Sequence, residues 1–359
     1  MEIVSADACQ TDRSVCRVAG MTELPGLDLG RVAAWMDREL PDVRTGELDA
    51  DIIQGGKSNL TYRVTDGQHV WALRRPPLGH VLPTAHDMSR EYRVISALDG
   101  SDVPVASAVG LCTDLDVLGA PFYLMSYVDG VVFDHADALA ALDHDSARRL
   151  GEVLIDTLVA LHRVDPDQIG LGDFGRPAGF LERQVARWHK QWQASETRPL
   201  PELGKVVDAL RARRPESAAA GIVHGDYRLT NVIYGADLTR IAAVVDWEMA
   251  TLGDPLTDVG LLVVYHQLAE QQELTMPMMR PADGFLSADQ LAARYGTSSG
   301  RSVDELGWYV GFGYYKLAVI AEGIAARHLQ GKTVGAGYER FGSIVPALLN
   351  QALATLEAS

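Results

Sequence analysis

The chain has 359 residues, 47% of them hydrophobic and 22% charged, with a formal net charge of −16 at pH 7. That length can bury a large core and suits two lobes or domains. The acidic balance argues against nucleic-acid and anionic-membrane partners, which need a basic surface, yet a nucleotide still fits wherever local lysines, arginines and metal ions reverse the field.

Cys9, Cys16 and Cys112 are too few and too scattered for a disulfide framework. The opening MEIVSADACQTDRSV has no basic start followed by an apolar stretch, so no secretory signal is expected. The apolar segment 308–326 carries Lys316, Glu322 and several glycines, which reads as a buried helix and not as a membrane span. A cytoplasmic protein is expected.

Residues 1–25 lack periodicity and are expected to form a peripheral tail. Asp28 has the character of an N-cap, and Val32, Trp35, Met36 and Leu40 recur at helical spacing until Pro41 stops the run. A strand-rich region follows. Ile52-Ile53-Gln54 leads through Gly55-Gly56-Lys57-Ser58-Asn59 into a second strand over 60–64. Such glycines let backbone N–H groups approach a phosphate closely, and the same pattern also suits a purely structural hairpin. Asp66-Gly67 turns into a third strand over 70–75, an amphipathic helix is expected over 87–98, and two more strands over 105–111 and 122–125.

After Gly130 the pattern becomes mainly helical, with helices over 145–164, 180–192 and 203–214, the last stopped by Pro215. Short apolar runs at 222–223, 232–234 and 241–245 read as strands, and a helix is expected over 255–268. The stretch 270–300, with Met276, Met278 and Met279 among prolines, reads as loop, and helices over 303–328 and 338–356 finish the chain. The expected class is therefore α+β: strands plus one helix, a connector near 126–130, then a larger helical half, with a small-molecule cleft at the connector.

The stretch around which this order is arranged is GIVHGDYRLTNVIYGADLTRIAAVVDWEMATLGDPLTD, residues 221–258. Asp226, Asn231 and Asp246 stand at the ends of its short strands, where loops carry chemistry and strands hold them still. Two carboxylates and one carboxamide suit an acceptor for a hydroxyl proton beside oxygen ligands for a hard divalent cation, which points to phosphoryl transfer. His224 reads as a loop-holding residue, Trp247 as packing, and Asp254 and Asp258 as scaffolding; Glu248 stays open between a supporting and a substrate-contacting role.

The HGDYRLTNVIY run and the VVDWEMA segment resemble the aminoglycoside phosphotransferase and choline kinase-like family, relatives of the protein kinases. Within it, QGGKSNLTYRV, LRRPP, SREYRVISAL and WEMATLGDPLTDVG are most similar to the kinase-like domains related to those fused to acyl-CoA dehydrogenases. The likeness spans about residues 28 to 350. It implies a two-lobed protein kinase-like fold: a tail over 1–25, a small antiparallel-sheet N-lobe with one helix over 26–125, a hinge over 126–130, and a helical C-lobe over 131–359. It also implies that Gly55, Gly56, Lys57, Ser58 and Asn59 cover the donor's phosphates, that Glu91 orients a phosphate-binding cation, and that the hinge backbone at Ser126 and Val128 reads the base. Asp226 would be the catalytic aspartate, with Asn231 and Asp246 holding Mg2+ and ATP or GTP as the donor. One departure stands out: Arg74, followed by Arg75, occupies the strand where protein kinases and the drug-modifying members of the family use lysine. Strand alternation favours Arg74 as the inward residue, and arginine can pair bidentately with both phosphate and carboxylate.

Four readings follow. The first is a small-molecule O-phosphotransferase whose acceptor is a hydroxyacyl-type or other anionic metabolite, since 180–215 is locally basic, with Arg183, Arg187, Lys190, Arg198, Lys205, Arg211, Arg213 and Arg214; solvated helix faces are the plain explanation of the same charges. An aminoglycoside or amino-alcohol kinase, or a non-catalytic nucleotide-binding module, are the alternatives. A metal-assisted hydrolase would also use Asp and Asn ligands but accounts less well for the Gly55-Gly56 turn.

Overall fold

The computed structural model describes residues 24–53, 59–78, 86–135, 138–217, 220–270, 282–332 and 337–359. The glycine-rich positions Gly55, Gly56, Lys57 and Ser58, the methionines at 276, 278 and 279, and nearly all of the expected tail lie outside them. The described residues fall into two compact units, one running to Asp99 and including Val105–Asp129, the other comprising Gly100–Pro104 and Gly130–Ser359. Gly100–Pro104 thus departs from the expected N-lobe, because the Val244 N–H donates to the Pro104 carbonyl at 2.8 Å and ties the segment to the second unit.

The first unit is a five-stranded antiparallel sheet in the order β1-β2-β3-β5-β4, built from β1 (Asp49–Ile52), β2 (Leu60–Thr65), β3 (Val70–Arg75), β4 (Ala108–Cys112) and β5 (Phe122–Ser126). Helix α1 (Leu29–Glu39) starts where Asp28 accepts the Arg31 N–H, and its Val32, Trp35 and Met36 are buried. They pack on Tyr62, Val64, Trp71, Leu73, Phe122 and Leu124, with Trp35 edge-on to Phe122 at 4.9 Å. Leu24 packs on the same core and Pro25 accepts from the Tyr62 hydroxyl, so the end of the expected tail is part of the unit. Because side chains alternate along a strand, the register that gives Trp71 and Leu73 to this core turns Ala72 and Arg74 to the opposite face. There α2 (Met88–Leu98), capped by Asp87, presents Glu91. A single helical turn, α3 (Leu115–Leu118), precedes β5.

The second unit is mainly helical: α4 (His144–Arg163), α5 (Phe180–Ser195), α6 (Pro201–Ala212), α7 (Leu256–Glu270), α8 (Ala288–Ser299), α9 (Leu306–Leu329) and α10 (Phe341–Ala358). Two short antiparallel pairs lie among them, β6 (Gly221–Val223) with β9 (Thr251–Gly253), and β7 (Val232–Tyr234) with β8 (Ile241–Val244). Helix α9 is apolar nearly all round because it is enclosed by its neighbours; among the described residues no helix is long and apolar enough to cross a membrane. It lies so close to α7 that a Cβ at Gly260 would come within 2.6 Å of the Tyr309 backbone.

Helix α8 corrects the expectation of loop over 270–300. Ser287 and Gln290 form a reciprocal capping box at its start, each side chain bonding the other's backbone N–H, and Leu291 and Tyr295 are buried.

Candidate active site

In the first unit, Arg74 on β3 donates through Nε to Glu91 Oε2 at 2.8 Å, with the Arg74 side chain 13% exposed and that of Glu91 1% exposed. Tyr123, opposite Arg74 on β5, donates its hydroxyl to the same oxygen at 3.0 Å, and Asn59 Nδ2 donates to Glu91 Oε1 at 3.2 Å. A buried carboxylate held by three donors fixes the direction in which the guanidinium points. Arg75, on the other face, donates to Gly26 and Leu118 carbonyls and closes the α1 side of the unit. Of the expected base-reading positions, Ser126 already gives its N–H to the Ser107 carbonyl at 2.9 Å and accepts the Ser107 N–H on its Oγ, so its own carbonyl is the group left to consider; Val128 is half-buried just after β5.

In the second unit the loop between β6 and β7 is clamped at nearly every polar atom. Asp258, fully buried on α7, accepts the His224 N–H on Oδ2 and the Gly225 N–H on Oδ1, both at 2.7 Å. Burial of Asp258 raises its carboxyl, but hydrogen bonding and charge from His162 and the loop N–H groups outweigh it, and the net direction is below the ordinary aspartate value. His162 bridges from α4, its Nε2 3.2 Å from Asp258 and its Nδ1 2.8 Å from the Tyr295 hydroxyl of α8; burial depresses its imidazole. His224 faces the Val245 carbonyl with Nε2 at 3.1 Å and the Asp226 N–H with Nδ1 at 3.3 Å. A carbonyl requires a proton on Nε2 and an N–H requires a lone pair on Nδ1, so both ring nitrogens are engaged in holding the loop. Trp247 packs on the same ring at 4.7 Å and donates its indole N–H to Val244.

Gly225 adopts φ +86°, and a Cβ there would meet Met249 backbone and side chain at 2.8 Å, so only glycine fits. The loop then presents Asp226, 24% exposed. Its Oδ1 accepts the Tyr265 hydroxyl of α7 at 2.6 Å; its Oδ2 accepts Asn231 Nδ2 at 2.9 Å and pairs with Arg228 Nε at 3.3 Å. Burial and the neighbouring Asp226 charge push the Tyr265 phenol well above its ordinary value, so it stays a donor. Asn231 Nδ2 also donates to the Asp226 carbonyl at 2.8 Å, while its Oδ1 accepts a long contact from the Thr230 hydroxyl at 3.5 Å. Asn231 precedes β7 and Asp246 follows β8, and the Val245 N–H donates to the Asn231 carbonyl at 2.9 Å, so strand pairing brings the two residues to one end of the hairpin. Asp246 sits at φ +68°, in the left-handed region that aspartate enters more readily than most non-glycine residues.

Six residues escaped the sequence reading of the site: Tyr123, His162, Arg228, Tyr265, Tyr295 and Lys316. Tyr265, Arg228 and Tyr295 carry no motif signal of their own. Lys316 appears in sequence only as a charge that disqualifies a membrane span, whereas its Nζ donates to the Gly225 carbonyl at 2.6 Å from within α9. A lysine at 9% exposure among aromatics in a helix is itself a signal that something nearby needs it.

Residues 49–299 match the phosphotransferase enzyme family. Acyl-CoA dehydrogenase family member 10 of Mus musculus is 30% identical over 312 residues, covering 85% of this chain and 29% of its own length, so the chain spans under a third of that relative. Among solved structures, a provisionally assigned aminoglycoside phosphotransferase of Ralstonia eutropha JMP134 is 29% identical with a TM-score of 0.81, covering 92% of this chain and 98% of its own. The ternary complex of a thermostable mutant of aminoglycoside phosphotransferase APH(4)-Ia with AMP-PNP and hygromycin B shares the fold at 15% identity, TM-score 0.59, with 91% and 98% covered. With its small antiparallel sheet, its largely helical remainder and its HGD loop, the chain belongs to the phosphotransferase enzyme family, kinases with an alcohol group as acceptor.

Proposed function

We propose that the protein is an ATP- or GTP-dependent small-molecule kinase in which Asp226 receives the proton of the acceptor hydroxyl. The observation that carries this reading is the dressing of the Asp226 carboxylate. Tyr265, Asn231 and Arg228 fix its plane, yet among the described residues Oδ1 takes a single donor, which leaves a lone pair for a substrate hydroxyl. As the hydroxyl oxygen bonds to the γ-phosphorus, its proton passes to Asp226, the bond to the β–γ bridging oxygen breaks, and the nucleoside diphosphate leaves. A positioned base of this kind contributes about 10²–10⁴-fold.

The donor set at the β7–β8 hairpin fits Mg2+. Asn231 offers a neutral oxygen and Asp246 an anionic one, and among the described residues no cluster of three His, Cys, Asp or Glu competes to cage a metal alone. Held by Asn231 and Asp246, the ion would neutralise charge on the donor's phosphates. Arg74, aimed by Glu91, would contact phosphate in the role relatives give to lysine, and an intact Arg74–Glu91 pair supports a working kinase over a non-catalytic binding module.

For the acceptor, an anionic metabolite is favoured over a polycation. Arg183, Arg198 and Arg213 are bonded to backbone carbonyls and Arg214 pairs with Glu182, so half of the basic stretch is structural. Arg187 nevertheless lies within electrostatic reach of Lys316, and Arg228 flanks Asp226 directly. Those cations oppose a polycationic antibiotic beside the reacting carboxylate. A screen of Mg–ATP and Mg–GTP consumption across hydroxyacyl thioesters, hydroxy acids, amino alcohols and aminoglycosides tests this. Turnover confined to the last two classes would overturn the anionic preference.

A further inference from the structure

Lys316 is a buried charge that the mechanism above leaves unused. It sits midway along α9, its ammonium over the Trp188 ring of α5 at 5.5 Å from the centroid, and it donates to a backbone carbonyl of the loop that presents Asp226. Burying an ammonium in an apolar helix is unfavourable by several kcal/mol unless it is paired and hydrogen-bonded, so the fold must gain from it locally. Its neighbours show what is gained. The peptide unit joining Gly225 to Asp226 has two polar ends: the carbonyl is held by Lys316 at 2.6 Å, and the N–H faces His224 Nδ1 at 3.3 Å. The preceding N–H, that of Gly225, belongs to Asp258 at 2.7 Å. A glycine at φ +86° has freedom to rotate on either side, and these three contacts remove it. Asp226 and Asp258 attract the ammonium, while Arg187 and Arg228 oppose it.

Resting on the reading of Asp226 given above, we propose that Lys316 is a positioning residue for phosphoryl transfer: by clamping the Gly225 carbonyl it sets the direction of the Gly225–Asp226 peptide and hence the aim of the Asp226 carboxylate. A neutral donor at this place would hold the carbonyl but would take away the positive charge that both carboxylates attract. Geometry is what such a clamp controls, and a displacement on the order of 1 Å at a reacting group costs about 10²-fold.

The test compares Lys316→Met, Lys316→Gln and Asp226→Asn with the wild-type chain, following ADP formation from Mg–ATP with water alone and with the hydroxylated compound that best accelerates it. Denaturation midpoints are measured alongside. Lys316→Met should lower kcat about 30-fold with KM for ATP within about twofold and little change in midpoint; Lys316→Gln, which keeps a donor for the carbonyl, should recover part of that loss. Lys316→Met turning over within about threefold of wild type overturns the proposal. So do equal losses in the two variants, or a failure of both to fold, since each makes Lys316 a scaffold residue only. Asp226→Asn separates the two ideas: wild-type turnover in that variant defeats the reading of the site itself, whereas its loss beside an active Lys316→Met defeats the clamp alone.

Discussion

The two charged clusters are built by opposite rules. In the first unit the carboxylate is the buried member: Glu91 is held by Arg74, Tyr123 and Asn59, and the guanidinium is the part that reaches outward. In the second, the carboxylate proposed as the base, Asp226, is the more exposed member, and the buried groups Asp258, His162 and Lys316 hold the backbone that carries it. A cation that grips a phosphate can be aimed by its own side chain from a strand, because register fixes which face it occupies. A base that must meet a hydroxyl at hydrogen-bond distance needs its backbone aimed first. The contrast explains why the first cluster needs three side-chain bonds on one carboxylate, while the second recruits residues from α4, α7, α8 and α9.

The largest effect that would break this comparison lies behind the loop. Asp258→Ala leaves the His224 and Gly225 N–H groups buried without acceptors and His162 without its counter-charge, so unfolding free energy should fall by about 3–5 kcal/mol in chemical denaturation, with activity lost alongside. A loss below about 1 kcal/mol would mean that the loop is held elsewhere. The same pair gives the molecule an acid limit. His162 is depressed in the folded chain, so below its ordinary value of 6.5 the unfolded chain binds the extra proton and stability declines as pH falls. Asp258 is likewise depressed, so its contribution is complete above the ordinary 3.8 and is lost as pH drops through the lower folded value. Denaturation midpoints measured from pH 8 down to pH 4 should show the histidine limb in wild type and a shallower one in His162→Asn, since buried His266 is depressed too.

Smaller effects sharpen the contrast. Arg74→Met should weaken Mg–ATP binding about tenfold by calorimetry, with Arg74→Lys recovering most of it, because charge matters more than fork geometry for a phosphate contact. Tyr265→Phe removes one bond to the reacting carboxylate without touching the nucleotide groups of the first unit; kcat should fall about fivefold at constant KM for ATP. A change in KM of the same size would place Tyr265 with the donor and erase the proposed division of labour.

Much of this was legible in sequence because the signals are local. Asp28 is an N-cap three residues from the N–H it accepts, and the pairing of Arg74, not Arg75, with Glu91 follows from strand alternation. Asp258 as the holder of the loop was readable from its place after the strand pair, and the bonds to His224 and Gly225 are the form it takes. Two features were not readable. Helix α8 is short, polar on one side and ends in Gly296-Thr297-Ser298-Ser299, a composition that looks like loop; its Ser287–Gln290 capping box was the one local clue. Lys316 was hidden for a different reason: its partner is 91 residues away in the chain, and only packing of α9 under the loop brings ammonium and carbonyl together.

The central claim is that Asp226 takes the acceptor's proton in a reaction that consumes a nucleoside triphosphate. The measurement that bears on it most directly is a comparison of wild type and Asp226→Asn for Mg–ATP binding and for phosphorylated product with a hydroxylated acceptor. The account predicts nucleotide affinity within about threefold and a fall in turnover of about 10²-fold or more. Equal turnover in the two proteins would contradict it.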